Sequence, residues 1–200
     1  AAKTLAAGVP LTINSGATLA TGATNSWTLT VGGDTSVSGT LTLANTGTKT
    51  FTGDVTINSG GVWNETGVAA INYAGNLQNN GTTFTANTGV HTFTGTGKTI
   101  SGTSIVATPS LTISGTTTNN GTLTVPTTLA GASTLTNGAT GTLNIGATAA
   151  NLTLTTLTAT AVGNTVNYTD AAQTVKATTY HHLTLSGSGA KTMTGVTTIN

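Results

Sequence analysis

The sequence predicts an all-β chain wound into a parallel β-helix, and three observations carry that prediction. The first is an echo. Ala44-Asn-Thr-Gly-Thr-Lys-Thr-Phe-Thr-Gly53 returns as Ala86-Asn-Thr-Gly-Val-His-Thr-Phe-Thr-Gly95 and again as Ser186-Gly-Ser-Gly-Ala-Lys-Thr-Met-Thr-Gly195. The flanking words keep step, since Gly39-Thr-Leu-Thr-Leu43 becomes His181-His-Leu-Thr-Leu185 and Val55-Thr-Ile-Asn58 becomes Thr197-Thr-Ile-Asn200. These offsets are multiples of a period near 20, the signature of a solenoid with one coil per repeat. The second is alternation of apolar and β-branched residues, as in Thr28-Leu-Thr30, Thr50-Phe-Thr52, Thr92-Phe-Thr94 and Thr122-Leu-Thr124, the pattern of a strand with one buried face. The third is the placing of Asn-Gly words between these strands: Asn14-Ser-Gly16, Asn58-Ser-Gly60, Asn79-Asn-Gly81 and Asn119-Asn-Gly121. Such words supply tight-turn geometry.

The elements follow in order. Coils start near Ala17, Gly39, Gly61, Gly81, Gly102, Gly121, Gly141, Gly163 and His181, and each opens a strand through Leu19, Leu41, Trp63, Phe84, Ile105, Leu123, Leu143, Val166 and Leu183. A second apolar column reads Leu29, Phe51, Tyr73, Phe93, Ile113, Leu135, Leu154, Val175 and Met193. A third short strand recurs in several coils, as Val55-Thr-Ile57, Lys98-Thr-Ile100 and Val196-Thr-Thr-Ile199. Three short strands in each coil of about 20 to 22 residues make a single parallel β-helix of about nine coils, right-handed by the general crossover preference. Its length is about 43 Å at about 4.8 Å per coil. Thr suits the outer face because its branched Cβ favours extended backbone and its hydroxyl tolerates water. A helical reading fails for want of 3.6-residue periodicity. Residues 1–200 read as one continuous solenoid segment of a longer repeat protein; a triangular and a flattened cross-section both fit.

Composition supports this and excludes several function classes. The chain is 36% hydrophobic and 4% charged with a formal net charge of +1, and it has no Cys. Disordered chains combine low hydrophobicity with high net charge, which is the opposite balance. Identical charged neighbours stacked in register would repel, whereas Thr and Asn ladders hydrogen-bond along the stack. Lys3, Lys49, Lys98, Lys176 and Lys191 are scattered and form no basic stripe for nucleic acid. No apolar run approaches the roughly 20 residues of a membrane span.

Candidate sites are few. The acids are Asp34, Asp54, Glu65 and Asp170. Asp34 and Asp54 fall near one corner of neighbouring coils without sharing a column, and both follow Gly in turn-like words. Gly32-Gly33-Asp34 alone does not make the nonapeptide calcium word of β-roll repeats. His91 takes the place of Lys49 and Lys191 in the echo and reads as an outward position just before the second strand. His181 and His182 are adjacent on a strand and point to opposite faces, a poor start for a zinc site. Trp63 and Tyr73 sit in the apolar columns as core residues; Trp27 and Tyr180 lie outside them, where an exposed ring would stack on sugar. Asn64-Glu-Thr66 and Asn151-Leu-Thr153 match the glycosylation sequon, as expected by chance in a Thr-rich chain. Second-strand Thr pairs at 28/30, 50/52, 92/94, 134/136 and 192/194 resemble the face of ice-binding solenoids, interrupted at Asn72-Tyr-Ala74 and Thr174-Val-Lys176. The residues therefore supply no catalytic, cofactor-binding or metal-binding set.

Gly39-Thr-Leu-Thr-Leu43, Thr50-Phe-Thr-Gly53 and Val55-Thr-Ile-Asn-Ser-Gly60 resemble the Thr/Gly/Asn-rich β-solenoid repeats of large bacterial surface proteins, the haemagglutinin-like adhesins and autotransporter passengers. The resemblance implies an extracellular, cell-surface stalk, fibre or filament. Its partners would be other copies or neighbouring repeats through end-to-end or lateral stacking, and a surface or carbohydrate. It implies no enzyme and no cofactor. The alternatives are an ice-binding module with one flat Thr face and a polysaccharide-binding or -cleaving β-helix. The last would need solvent-exposed Asp34, Asp54 and Glu65 within about 10 Å of one another.

Overall fold

In the computed structural model, which describes residues 2–24 and 26–200, burial alternates along each short strand. Ala1 and Asn25, both inside the continuous 1–200 reading, lie outside the described residues. Leu29–Val31, Lys49–Phe51, Val55–Ile57 and Ile71–Tyr73 each bury both ends and leave the middle residue half-exposed. A lone strand of three residues has too few hydrogen bonds to persist, so each depends on its counterparts one coil before and after. Those pairings are parallel, and they stack the described residues into an all-β solenoid of about 9 turns, with no helix.

Three faces result. The first face carries the expected coil marks: Leu19, Leu41, Trp63 and Phe84 are register partners, as are Leu123, Leu143, Val166 and Leu183. In the coil between these two runs the expected rung is displaced by one residue. Val106, not Ile105, pairs with Leu123, and Ile105 is 54% exposed against 3% for Val106. The corner ahead of Val106 is two residues longer than the next one: Val106 lies six positions past Ile100, whereas its partner Leu123 lies four past Asn119. The first face is also broken here, since Thr83–Thr85 ends one sheet and Val106–Ala107 begins another.

The second face stacks Phe51, Tyr73, Phe93 and Ile113 as expected. Two of its assignments need correcting. Leu29 lies opposite Lys49, and Val31 is the partner of Phe51. A slip of two residues keeps the same side chains inward, so alternation alone does not choose between these registers. Leu135 belongs to the third face, opposite Thr117 and Leu157. The reason is the strand Thr128–Asn137, ten residues long, which runs through the corner and joins the second and third faces into one 14-stranded sheet. Leu154 keeps its second-face place, opposite Gly131. Farther on, the strands Gln173–Thr174 and Thr179–Tyr180 pair onward with Lys191–Thr192 and Thr198–Ile199. Towards the preceding coil the second-face ladder is interrupted, and the third face keeps a single bridge from Ala159 to Tyr180.

Between the second and third faces the corner narrows to backbone on backbone. A Cβ at Gly75 would sit 2.2 Å from the Gly53 carbonyl oxygen, and one at Gly115 would sit 2.1 Å from that of Gly95. Glycine recurs here because nothing larger fits between coils. Inside, an apolar rung column fills the bore, with Trp63, Tyr73, Tyr168, Phe51 and Phe93 fully buried. Rings stack along the axis, Phe51 on Tyr73 at 6.0 Å and Tyr73 on Phe93 at 5.0 Å.

Candidate functional site

The densest chemistry lies inside the corner between the first and second faces. The echo position expected to face outward faces inward: Lys49 is 0% exposed and His91 1%. They occupy the column Leu29, Lys49, Ile71, His91, Leu111. The strands begin at or just before these residues, so their parity is that of the buried ends. Lys191 is half-buried, and its ammonium donates to the carbonyls of Asp170, Ala171 and Ser188. In every copy the polar head is taken up by oxygen or carboxylate.

Glu65 takes an inward place opposite Leu43 and is buried. Its Oε1 accepts from Trp63 Nε1 at 2.7 Å, its Oε2 lies 3.0 Å from His91 Nε2, and Oε2 also accepts the Asn87 backbone N–H at 3.2 Å. One coil earlier, Lys49 Nζ donates to Asn45 Oδ1 at 2.5 Å and to the Gly47 carbonyl, and lies 5.7 Å from the centre of the Trp27 ring. Asn45 is fully buried, and its Oδ1 also accepts the Gly47 N–H at 3.1 Å. Burial pulls the Lys49 ammonium below the ordinary lysine value, and the charge of Glu65 opposes that pull. Burial, with the Glu65 charge added, drives the Tyr73 phenol well above its ordinary value. An amine, a carboxamide and a carboxylate–imidazole pair thus share a sealed wall. A diffusing substrate has no entry to them.

The other acids lie elsewhere. Contrary to the expectation that they occupy different columns, Asp34 and Asp54 stack in one. The Asp54 N–H donates to Asp34 Oδ1 at 2.9 Å, and the Asn76 N–H donates to Asp54 Oδ1 at 2.8 Å. The Thr99 N–H continues the ladder onto Asn76 Oδ1 at 2.9 Å. Each side chain caps the backbone of the next coil, the turn chemistry of Asp and Asn used between coils instead of within one. The backbone N–H and side-chain amide of Asn76 hold the Asp54 carboxyl below its ordinary value, with a smaller contribution from Lys98. Asp170 is exposed and accepts the Ala171 N–H at 2.8 Å, a turn contact. With Asp34 and Asp54 exposed and Glu65 buried, the three do not line one groove.

His181 and His182 do not diverge. Their rings meet edge to face at 4.1 Å, because His181 lies in the corner ahead of the strand His182–Leu185 and escapes the strand alternation. Among the described residues no group of three or more His, Cys, Asp and Glu is placed to hold a metal ion. Trp63 and Tyr73 are core residues as expected, and Trp27 is half-buried against the core. Tyr180 is fully buried, with its hydroxyl 3.1 Å from that of Tyr168 and donating to the Lys176 carbonyl at 2.7 Å. Asn64 is half-exposed and Asn151 exposed.

The Thr pairs of the second strand also rearrange. That face shows one outward residue within each strand, Thr30, Thr50, Asn72, Thr92 and Thr112, and a second just past it at Thr52, Ala74, Thr94 and Ser114, while the 134/136 pair moves with Leu135 to the third face. The four-residue strands of the first face show two, as at Thr40/Thr42 and Thr122/Thr124. At the break in the first face a shallow groove is lined by Phe84, Thr82, Thr83, Thr103, Ser104 and Ile105, and Phe84 stacks on Trp63 at 5.8 Å. Compared with known proteins, the chain matches no family model, no curated protein and no solved structure.

Proposed function

We propose that the chain is a structural and adhesive rod, an extracellular stalk or fibre segment at a cell surface whose task is to provide length and a presenting surface. The observation that supports this most is where the polar chemistry sits. Lys49, Glu65 and His91 are turned inward and sealed, the exposed Asp34 and Asp54 cap the backbone of the next coil, and the outward rungs are Thr, Ser and Asn repeated coil after coil. Such a ladder resists extension along its backbone and offers a sparsely charged, hydroxyl-rich surface. The ice-binding reading is weaker, because the two-column first face is interrupted by Val62/Asn64, Asn144 and Asn167.

Pulling the chain by its two ends between handle domains tests the rod. Each coil of about 20 residues releases about 70 Å of contour. The expected trace is a sawtooth in multiples of that length. A featureless low-force stretch would remove the mechanical reading, and thermal hysteresis in a freezing assay would replace it with the ice-binding one.

A further inference from the structure

We propose that the Lys49 ε-amine and the Asn45 side-chain carboxamide join as an intramolecular isopeptide bond, a covalent clasp inside the corner between the first and second faces. Four observations meet at this point. Lys49 Nζ lies 2.5 Å from Asn45 Oδ1, and both residues are fully buried. Among the described residues the other acceptor of Lys49 is the Gly47 carbonyl, a neutral group, and none of their carboxylates is hydrogen-bonded to this ammonium. The Gly47 N–H donates to the same Oδ1 at 3.1 Å, which places a backbone donor on the oxygen that becomes negative in acyl transfer. Glu65 with His91, paired at 3.0 Å, lies buried in the same wall, and its charge acts on Lys49.

The chemistry balances without an oxidant or a second substrate. The lone pair of neutral Nζ forms a bond to Asn45 Cγ, and the Cγ–Nδ2 bond breaks. One proton moves from Nζ to Nδ2, and ammonia leaves. A buried lysine favours the neutral amine that this attack requires. Holding amine and amide together in one site replaces a bimolecular encounter by an intramolecular one. Water is excluded, so hydrolysis does not compete. The proton passes from the attacking to the departing nitrogen within the pair itself, because Glu65 is not within 4 Å of Nζ and its two oxygens are held by Trp63, Asn87 and His91. The product is neutral, which removes the penalty of an ammonium buried without a carboxylate.

The test is the intact mass of the folded, purified full chain, measured after denaturation. The expected mass is lower than the sequence mass by one ammonia. Trypsin should fail to cut after Lys49, and fragmentation should give no backbone breaks between Asn45 and Lys49. Lys49→Arg and Asn45→Ala should each return to full mass. A succinimide at Asn45 would lose the same ammonia without needing Lys49, so a deficit that persists in Lys49→Arg overturns the proposal. So does a full-mass wild-type chain that trypsin cuts after Lys49. Should either variant fail to fold, the peptide map of the wild type decides by itself.

Discussion

Replacing Tyr73 by Phe should stabilise the rod, although it removes a polar group from the core. Tyr73 is 1% exposed, and its hydroxyl has no hydrogen-bond partner among the described residues. Its ring belongs to a column with Phe on both sides, Phe51 and Phe93, so a phenylalanine keeps the stack unchanged. A hydroxyl buried without a partner costs roughly 1–3 kcal/mol. The void left by one oxygen takes back about 0.2–0.5 kcal/mol. The net gain is therefore about 1–2 kcal/mol, or about 2–8 °C in melting temperature for a chain of this size. The assay is urea unfolding followed by tryptophan fluorescence in a Trp27→Phe background. Of the two tryptophans, this leaves Trp63, whose ring lies 6.2 Å from that of Tyr73. A local reporter matters because coils of a solenoid interact with their neighbours and need not melt together. A midpoint that moves to lower urea would show that the hydroxyl has a partner, and the reasoning would fall.

Four further outcomes follow from the same geometry. Gly75→Ala should destabilise by about 2 kcal/mol or more, since its Cβ would meet the Gly53 carbonyl at 2.2 Å and backbone does not move aside as a side chain does; a thermal melt unchanged within error would contradict the packed corner. Glu65→Ala should cost about 3–5 kcal/mol by leaving His91 and the Trp63 N–H without their acceptor, read as a lower urea midpoint. Tyr180→Phe should cost about 1–2 kcal/mol through the lost bond to the Lys176 carbonyl, with hydrogen exchange accelerated in the last coils and not in the first. The Asp54 carboxyl is held below its ordinary value, so its stabilisation is present above the unfolded value of 3.8 and is lost as pH falls through the lower folded value. An acid titration of the Asp54→Asn chain should accordingly be flatter in that window than that of the wild type.

The period, the three strands and most rungs were legible because each depends on the kind of residue, apolar or not, and on its spacing. Register was less so. Leu29 and Val31 are two apart and both face inward, and nothing in the alternation distinguishes them; the pairing of Val31 with Phe51 is decided by corner length. The polar interior was hidden for a related reason. A lysine or histidine ahead of a strand reads as solvent-facing, and only the burial of both ends of Lys49–Phe51 reverses that. One signal was available: Lys49, Glu65 and His91 lie in three successive coils of a chain with almost no charge. Such clustering among so few charged residues points to contact between some of them, and Glu65 and His91 do meet at 3.0 Å. The Asp34–Asp54 column was missed because positions were counted back from the coil marks, and the corner from Val55 to Val62 is two residues longer than that from Thr35 to Thr40.

The interruptions in the ladders have a mechanical consequence. The first face is interrupted between Thr83–Thr85 and Val106–Ala107, while the other two stay paired at that level through Phe93 with Ile113 and Ile100 with Asn119. The second and third faces weaken between Leu152–Thr158 and Gln173–Thr174, where the first stays paired through Ile145 with Tyr168. The seams are staggered, as joints are in brickwork. A crack that opens along one seam meets an unbroken course of hydrogen bonds before it can cross the wall, so no transverse plane offers a clean fracture.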